Sequence, residues 1–295
     1  MRGEALALVE ELRALPQGAP RQQRQIALEN EEPPALLAAL FAERDRLPPG
    51  PAGWIGRIAA AMGLPQRPVQ PFRRRDLAAH ALVYEGVGEG PRRLLVLFGG
   101  RAMRPMMPVA ALLQHLPAAR CDVLLLHDPA RRSFLSGVEG YAEGFAALAP
   151  RILADLPRAR LGGIRCLGMS MGGAAALYAA LLLEAEQAVA VGGVHPAPRL
   201  GRLPVPGLDG REMDRALDAA GRRGGPTRLV ALHGEGNARD AEAALALRTA
   251  LPALRILAVP GTAEHNLAAE MLSAGRLEGF LHRVAFGDFA DGGPW

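Results

Sequence analysis

The run Ile164-Arg165-Cys166-Leu167-Gly168-Met169-Ser170-Met171-Gly172-Gly173-Ala174-Ala175-Ala176-Leu177-Tyr178 decides the fold. Its first four residues read as a strand, and the alanine-rich stretch from Ala174 reads as a helix. Between them lies Gly168-Met169-Ser170-Met171-Gly172. In a chain with 35 glycines a G-x-S-x-G pattern alone carries little weight. A strand running in and a helix running out change that, because they leave room only for a tight, strained turn with the serine at its apex. Side chains at 168 and 172 would collide across such a turn, so glycine is required at both. The helix N-terminus behind the serine aims free N–H groups and the positive end of its dipole at any oxygen held there.

Outward from this turn, apolar runs alternate with helical stretches. Strands are expected at 81–85, 94–98, 122–127, 164–167, 188–194, 228–232 and 254–259, and helices at 106–116, 138–156, 171–186, 240–251 and 263–283. Such alternation predicts an α/β fold with a mostly parallel sheet and helices on both faces. The continuous apolar strands agree with burial from both sides. The short, glycine-rich link 86–93 predicts that the first two strands form an antiparallel hairpin at one edge. The chain before Leu77 differs. It reads as short helices at 4–15, 21–30, 34–47 and 53–62, broken at Pro16, Pro33-Pro34, Pro48–Pro51 and Pro65, where a missing N–H and a ring clash stop a helix. Leu36, Leu37, Leu40 and Phe41 share one helical face, as do Trp54, Ile55, Ile58 and Met62. These stripes predict packing either against the rest of the chain or against a second copy in a homo-oligomer. The expected organisation is an N-terminal helical segment, 1–76, followed by an α/β domain, 77–295.

Bulk properties narrow the function classes. All 34 basic residues are arginine, which lifts the pI to about 9.8 although the formal charge is only +4. The runs Arg73–Arg75, Arg92-Arg93, Arg131-Arg132 and Arg222-Arg223 are scattered and sit in no nucleic-acid module, so no nucleic-acid partner is expected. Cys121 and Cys166 lie in apolar strand-like runs and read as buried free thiols. Nothing calls for a metal or a cofactor. Glu4, Glu10 and Glu11 interrupt the N-terminus where a signal peptide would be apolar. Glu184 and Glu186 break the most apolar stretch, so no membrane span is expected and a cytoplasmic location is the default.

From about Ala81 to Arg283 the chain resembles the α/β-hydrolase superfamily, through the GMSMG turn, the preceding Phe98-Gly99-Gly100 loop and the late Leu232-His233-Gly234 and Glu264-His265 segments. The resemblance implies that Ser170 is a nucleophile and that the Met171 N–H is one oxyanion-hole donor. The second donor comes from the loop after the 94–98 strand, at Arg101 or Gly100. It also places the general base after the last strand, at His265. His195, His233, His127, His80, His115 and His282 fit that place less well. The acid is irregular. Relatives often carry Asp three residues beyond the strand-end glycine, where this chain has Asn237. Asp240 is the choice for the acid, with helix N-cap as its competing role, and Glu235 and Asn237 stand behind it.

Residues 195–226 fall where the family inserts a cap. Pro196, Pro198, Pro204, Pro206 and Pro226 predict a small, irregular one with a helix near 212–220. Arg101, Arg104, Arg131 and Arg132 follow strands whose C-terminal ends face the site. They read either as solvated residues or as contacts for an anionic, small-molecule acyl substrate. Three functions fit. The first is an ester or thioester hydrolase working through an acyl-enzyme. The second is an acyltransferase on the same machinery. The third is a non-catalytic scaffold whose N-terminal helices bind a partner, which the irregular acid keeps open.

Overall fold

The computed structural model describes residues 1–196, 210–221, 226–287 and 289. Of the expected cap, 197–209 and 222–225, with Pro198, Pro204 and Pro206, lie outside the described residues. Ten strands are described: β1 (Arg73–Ala78), β2 (Ala81–Glu85), β3 (Arg92–Phe98), β4 (Cys121–Leu126), β5 (Gly137–Val138), β6 (Ala142–Glu143), β7 (Leu161–Met169), β8 (Gln187–Val191), β9 (Arg228–Gly234) and β10 (Arg255–Val259). Eight of them form one sheet in the order β1-β2-β4-β3-β7-β8-β9-β10. From β4 to β10 every pairing is parallel, while β2 pairs antiparallel with both β1 and β4. The small β5–β6 pair stands apart.

The expected hairpin between the first two strands is not formed. β2 turns instead to β1, a strand that sequence patterning misses because Arg73, Arg74, Arg75 and Asp76 give it no apolar alternation. Such charge suits an edge strand. After β2 the chain does not fold straight back. The Gly86 N–H donates to the Asp122 carboxylate and the Val87 N–H to the Ala118 carbonyl. A side chain at 86 would lie 2.0 Å from the Ala118 oxygen. The link therefore crosses the start of β4 before β3 begins on its far side.

Strand residues alternate between two cores. Leu94, Val96, Phe98, Cys166, Ala188 and Ala190 face one; Leu95, Leu97, Leu167, Met169, Val189 and Val191 face the other. The first core is covered by α6 (Leu148–Asp155), α7 (Gly173–Leu182), α8 (Glu212–Ala219) and α9 (Ala238–Ala250). The second is covered by α1 (Arg2–Ala14), α2 (Ala19–Glu31), α3 (Pro34–Ala42), α4 (Pro49–Ala61), α5 (Val109–Gln114), α10 (Leu267–Ser273) and α11 (Leu277–Ala285). Helices thus cover both sheet faces, as the strand–helix alternation predicts. The N-terminal stripes lie inside this chain. Leu37, Leu40, Trp54, Ile55, Ile58 and Met62 are buried in the same core as Leu95 and Leu97, and β1 spans the 76/77 border. The faces that suggested a homo-oligomer are therefore covered internally. Five helices fall short of the expected spans: 138–156 begins only at Leu148, 106–116 only at Val109, 171–186 runs only over Gly173–Leu182, 34–47 ends at Ala42, and 263–283 splits into α10 and α11.

Two of the four basic runs, Arg73–Arg75 and Arg92-Arg93, are ion-paired within the chain, and Arg222-Arg223 lies outside the described residues. Arg74 meets Glu31, Glu32 and Asp76, Arg92 meets Asp122, and Arg93 meets Glu186. Both cysteines are buried and free, and burial pushes their thiols well up from the usual range. Among the described residues no helix is long and apolar enough to cross a membrane.

Candidate active site

The chain leaves β3 towards β4 on one side and returns to β7 on the other. Connections that part in this way open a crevice at the C-terminal ends of the two strands. Two segments flank it: the loop 99–108 after β3, and the single turn of 3-10 helix Ser170–Gly172 after β7.

Backbone crowding makes the turn. A β-carbon on Gly168 would lie 2.2 Å from the Gly172 carbonyl oxygen, and one on Gly172 would lie 2.5 Å from that of Phe98. The obstacles are backbone atoms, which cannot swing aside. Ser170 itself sits at φ +51°, a left-handed conformation that costs a non-glycine residue about 1–3 kcal/mol and clusters at functional sites. Five more non-glycine residues after β3 and β4 share it: Met103, Met106, Arg131, Ser133 and Phe134.

His265 lies in the loop between β10 and α10. Its Nε2 is 3.0 Å from the Ser170 Oγ and its Nδ1 is 2.7 Å from the Asp240 Oδ2. A carboxylate only accepts, so Nδ1 carries the proton and Nε2 is left to accept from the serine hydroxyl. Asp240 is buried whereas His265 is 45% exposed on its side chain. The imidazole is thus open to solvent while the carboxylate beside it stays shielded. The N-cap role that competed for Asp240 belongs to Asn237, whose side chain accepts from the Asp240 N–H at 3.0 Å. The helix begins at Ala238, so Asp240 falls in its first turn with its carboxylate free to reach the imidazole. Glu235 is exposed and accepts from the Gly261 N–H at 3.2 Å.

The N–H groups of the two candidate loop residues are differently placed. The Gly100 N–H donates to the Arg104 carbonyl at 3.0 Å, so it is engaged in closing the loop. The Arg101 N–H has no hydrogen bond among the described residues. Gly100 instead permits close approach, since a β-carbon there would sit 3.3 Å from the Met169 oxygen and 3.8 Å from the Ser170 Cβ. Met171 follows the serine directly, on the turn.

Two residues that sequence reading missed complete the geometry. Gly192, at φ +57°, ends β8, and a β-carbon on it would lie 2.8 Å from the His265 ring and 3.3 Å from the Asp240 Oδ2. The Gly192-Gly193 pair after an apolar strand was the available signal. Asn266 caps α10 and donates through Nδ2 to the Met106 carbonyl at 2.8 Å, tying the histidine loop to loop 99–108.

Several other residues near the site have structural partners. The His233 Nδ1 lies 2.8 Å from the Gly234 carbonyl. The Tyr178 hydroxyl donates to Asp214 at 2.7 Å and lies 3.3 Å from His195, joining α7 to α8. Arg104 pairs with Glu29, while Arg101 and Arg131 are exposed. His127 is buried, and burial pushes its pKa from the ordinary 6.5 down to about 4. Between those values the unfolded chain binds the proton and the folded chain does not. Stability is therefore present above about pH 6.5 and is lost as pH falls towards 4, by on the order of 3 kcal/mol. Melting measured between pH 7 and 4.5 should drop about 5 °C further in wild type than in His127→Gln. Parallel curves would show that another group carries the acid sensitivity.

No protein-family model and no curated protein matches the sequence. Among solved structures the chain is similar to an inferred thioesterase from a Silicibacter species, with a TM-score of 0.50 and 15% identity over 78% of this chain and 91% of that one. It is also similar to Est1E from Butyrivibrio proteoclasticus, with a TM-score of 0.44 and 15% identity over 72% and 98%. A third is FphF, a fluorophosphonate-binding serine hydrolase of Staphylococcus aureus, with a TM-score of 0.45 and 12% identity over 69% and 95%. At these identities the likeness is one of fold.

Proposed function

We propose that this chain, which has the α/β-hydrolase fold, is a serine hydrolase that cleaves an ester or thioester through an acyl-enzyme on Ser170. The observation that carries the reading is the unbroken chain of contacts from the Ser170 Oγ through His265 to the buried Asp240. The relay sits on a strained turn after β7, with the His265 side chain 45% exposed beside it.

The chemistry follows from the atoms present. The Ser170 Oγ attacks the substrate carbonyl carbon as its proton passes to the His265 Nε2. Asp240 holds the ring in the required tautomer and stabilises the imidazolium. The carbonyl oxygen becomes an oxyanion, which accepts from the Met171 and Arg101 N–H groups. Fixed donors of this kind are worth about 10²–10³-fold each, because they need no reorganisation as charge develops. Collapse expels the alcohol or thiol, which leaves with the proton from His265. Water then repeats the sequence on the acyl-enzyme and releases the acid. Support for a working site over an inert scaffold comes from the acid. The scaffold reading rested on its irregular position, and Asp240 meets the imidazole at 2.7 Å.

Treating the intact protein with a fluorophosphonate and mapping the adduct by peptide mass spectrometry tests the reading. One stoichiometric label on the peptide holding Ser170 is the expected result. An unlabelled protein, or a label on another serine, defeats it.

A further inference from the structure

The loop 99–108 holds a shape that its own chemistry does not favour. Met103 and Met106 both sit at positive φ, +56° and +59°, at a cost of about 1–3 kcal/mol each. Its internal hydrogen bonds are short-range turns: Gly100 N–H to Arg104, Met103 N–H to Gly100, and Met106 N–H to Arg104. Strained turns of this kind persist only where the surroundings over-determine them. Here the surroundings come largely from the last turn of α2.

Asn30, 4% exposed, donates through Nδ2 to the Ala102 carbonyl at 3.0 Å. The neighbouring Glu29 carboxylate meets the Arg104 guanidinium, and its other oxygen accepts from the Trp54 Nε1–H of α4 at 2.7 Å. Helix α2, braced by Trp54 of α4, therefore meets Ala102 and Arg104, one and three places after Arg101. A buried polar group is costly unless paired; the Asn30 amide N–H finds its partner on the loop 99–108, while its Oδ1 has none among the described residues. Asn266 holds the far end of the same loop through Met106.

We propose that Glu29 and Asn30 are positioning residues for the reaction, setting the Arg101 N–H through Arg104 and Ala102. The N-terminal helices are thereby part of the turnover machinery. The proposal rests on the serine hydrolase reading given above. It is specific to the transition state, because the Arg101 N–H matters when the carbonyl oxygen acquires charge and much less when substrate first binds.

The test uses the full-length chain with Asn30→Asp, which keeps the side-chain shape but removes the donor, and with Glu29→Gln. Three quantities are read for each: kcat and KM on an activated ester, melting temperature, and affinity for an aryl trifluoromethyl ketone. The Ser170 Oγ adds reversibly to such a ketone, passing its proton to His265 and leaving the ketone oxygen as an oxyanion in the same hole. A misplaced donor should lower kcat by ~10- to ~100-fold with KM changed less than about twofold. Ketone affinity should fall in step with kcat/KM, while fluorophosphonate still labels Ser170. A merely structural role would lower melting without this parallel loss. Folded variants with wild-type kcat and ketone affinity overturn the proposal and leave the serine reading intact. Should Asn30→Asp not fold, Glu29→Gln decides on the same readouts. A wild-type protein that neither labels nor turns over ester removes the serine reading, and the proposal with it.

Discussion

Ser170→Ala is expected to lose about 10⁶-fold in ester turnover and all fluorophosphonate labelling while melting close to wild type. The substitution deletes one oxygen on a turn shaped by the backbone around Gly168 and Gly172, and alanine carries no new atom into that space. His265→Ala should be almost as damaging, since without the base the hydroxyl remains a poor nucleophile at neutral pH. Combining the two should add little further loss. Members of such a relay act as a unit, and removing one leaves only what binding and the oxyanion donors supply. The measurement is burst and steady-state hydrolysis of a p-nitrophenyl ester beside quantitative labelling. Persistent labelling of the alanine variant would move the nucleophile elsewhere, and a large double-variant deficit would mean that Ser170 and His265 act independently.

Asp240→Asn is the second large effect expected, at about 10⁴-fold in turnover. Asparagine fits the same buried space, but its amide offers a donor or an acceptor according to its orientation. It can stabilise the wrong imidazole tautomer, and it carries no charge to support the imidazolium. Stability should change little, because the helix cap belongs to Asn237 rather than to Asp240. A cap residue would show the opposite pattern, losing about 1 kcal/mol of stability with activity spared. Glu235→Gln serves as the comparison. Its carboxylate is exposed on the Gly261 N–H, so turnover should fall mildly at most. Normal hydrolysis by Asp240→Asn with a severe defect in Glu235→Gln would reverse the assignment of the acid.

Features that depend on neighbours along the chain were readable from residue order. Strand 164–167, the turn at Ser170 and the helix behind it are dictated by residue size and periodicity within fifteen positions, so a strand–turn–helix unit with a serine at its apex was legible there. The apolar faces of the N-terminal helices were legible too, though not what they cover. Tertiary structure decided whatever depends on distance through space. β1 became a strand because β2 needed an edge partner, and four charged residues in it hide that role from any pattern of hydropathy. Asp240 lies 70 positions beyond Ser170, and nothing local separates a carboxylate that caps a helix from one that meets an imidazole. Only the start of α9 at Ala238, with Asn237 as its cap, turns Asp240 inward. Gly192, Asn266, Glu29 and Asn30 are ordinary residues in sequence. They gain meaning because sheet order and helix packing bring β8, the histidine loop and α2 against one crevice, and contact energies depend on that proximity rather than on position in the chain.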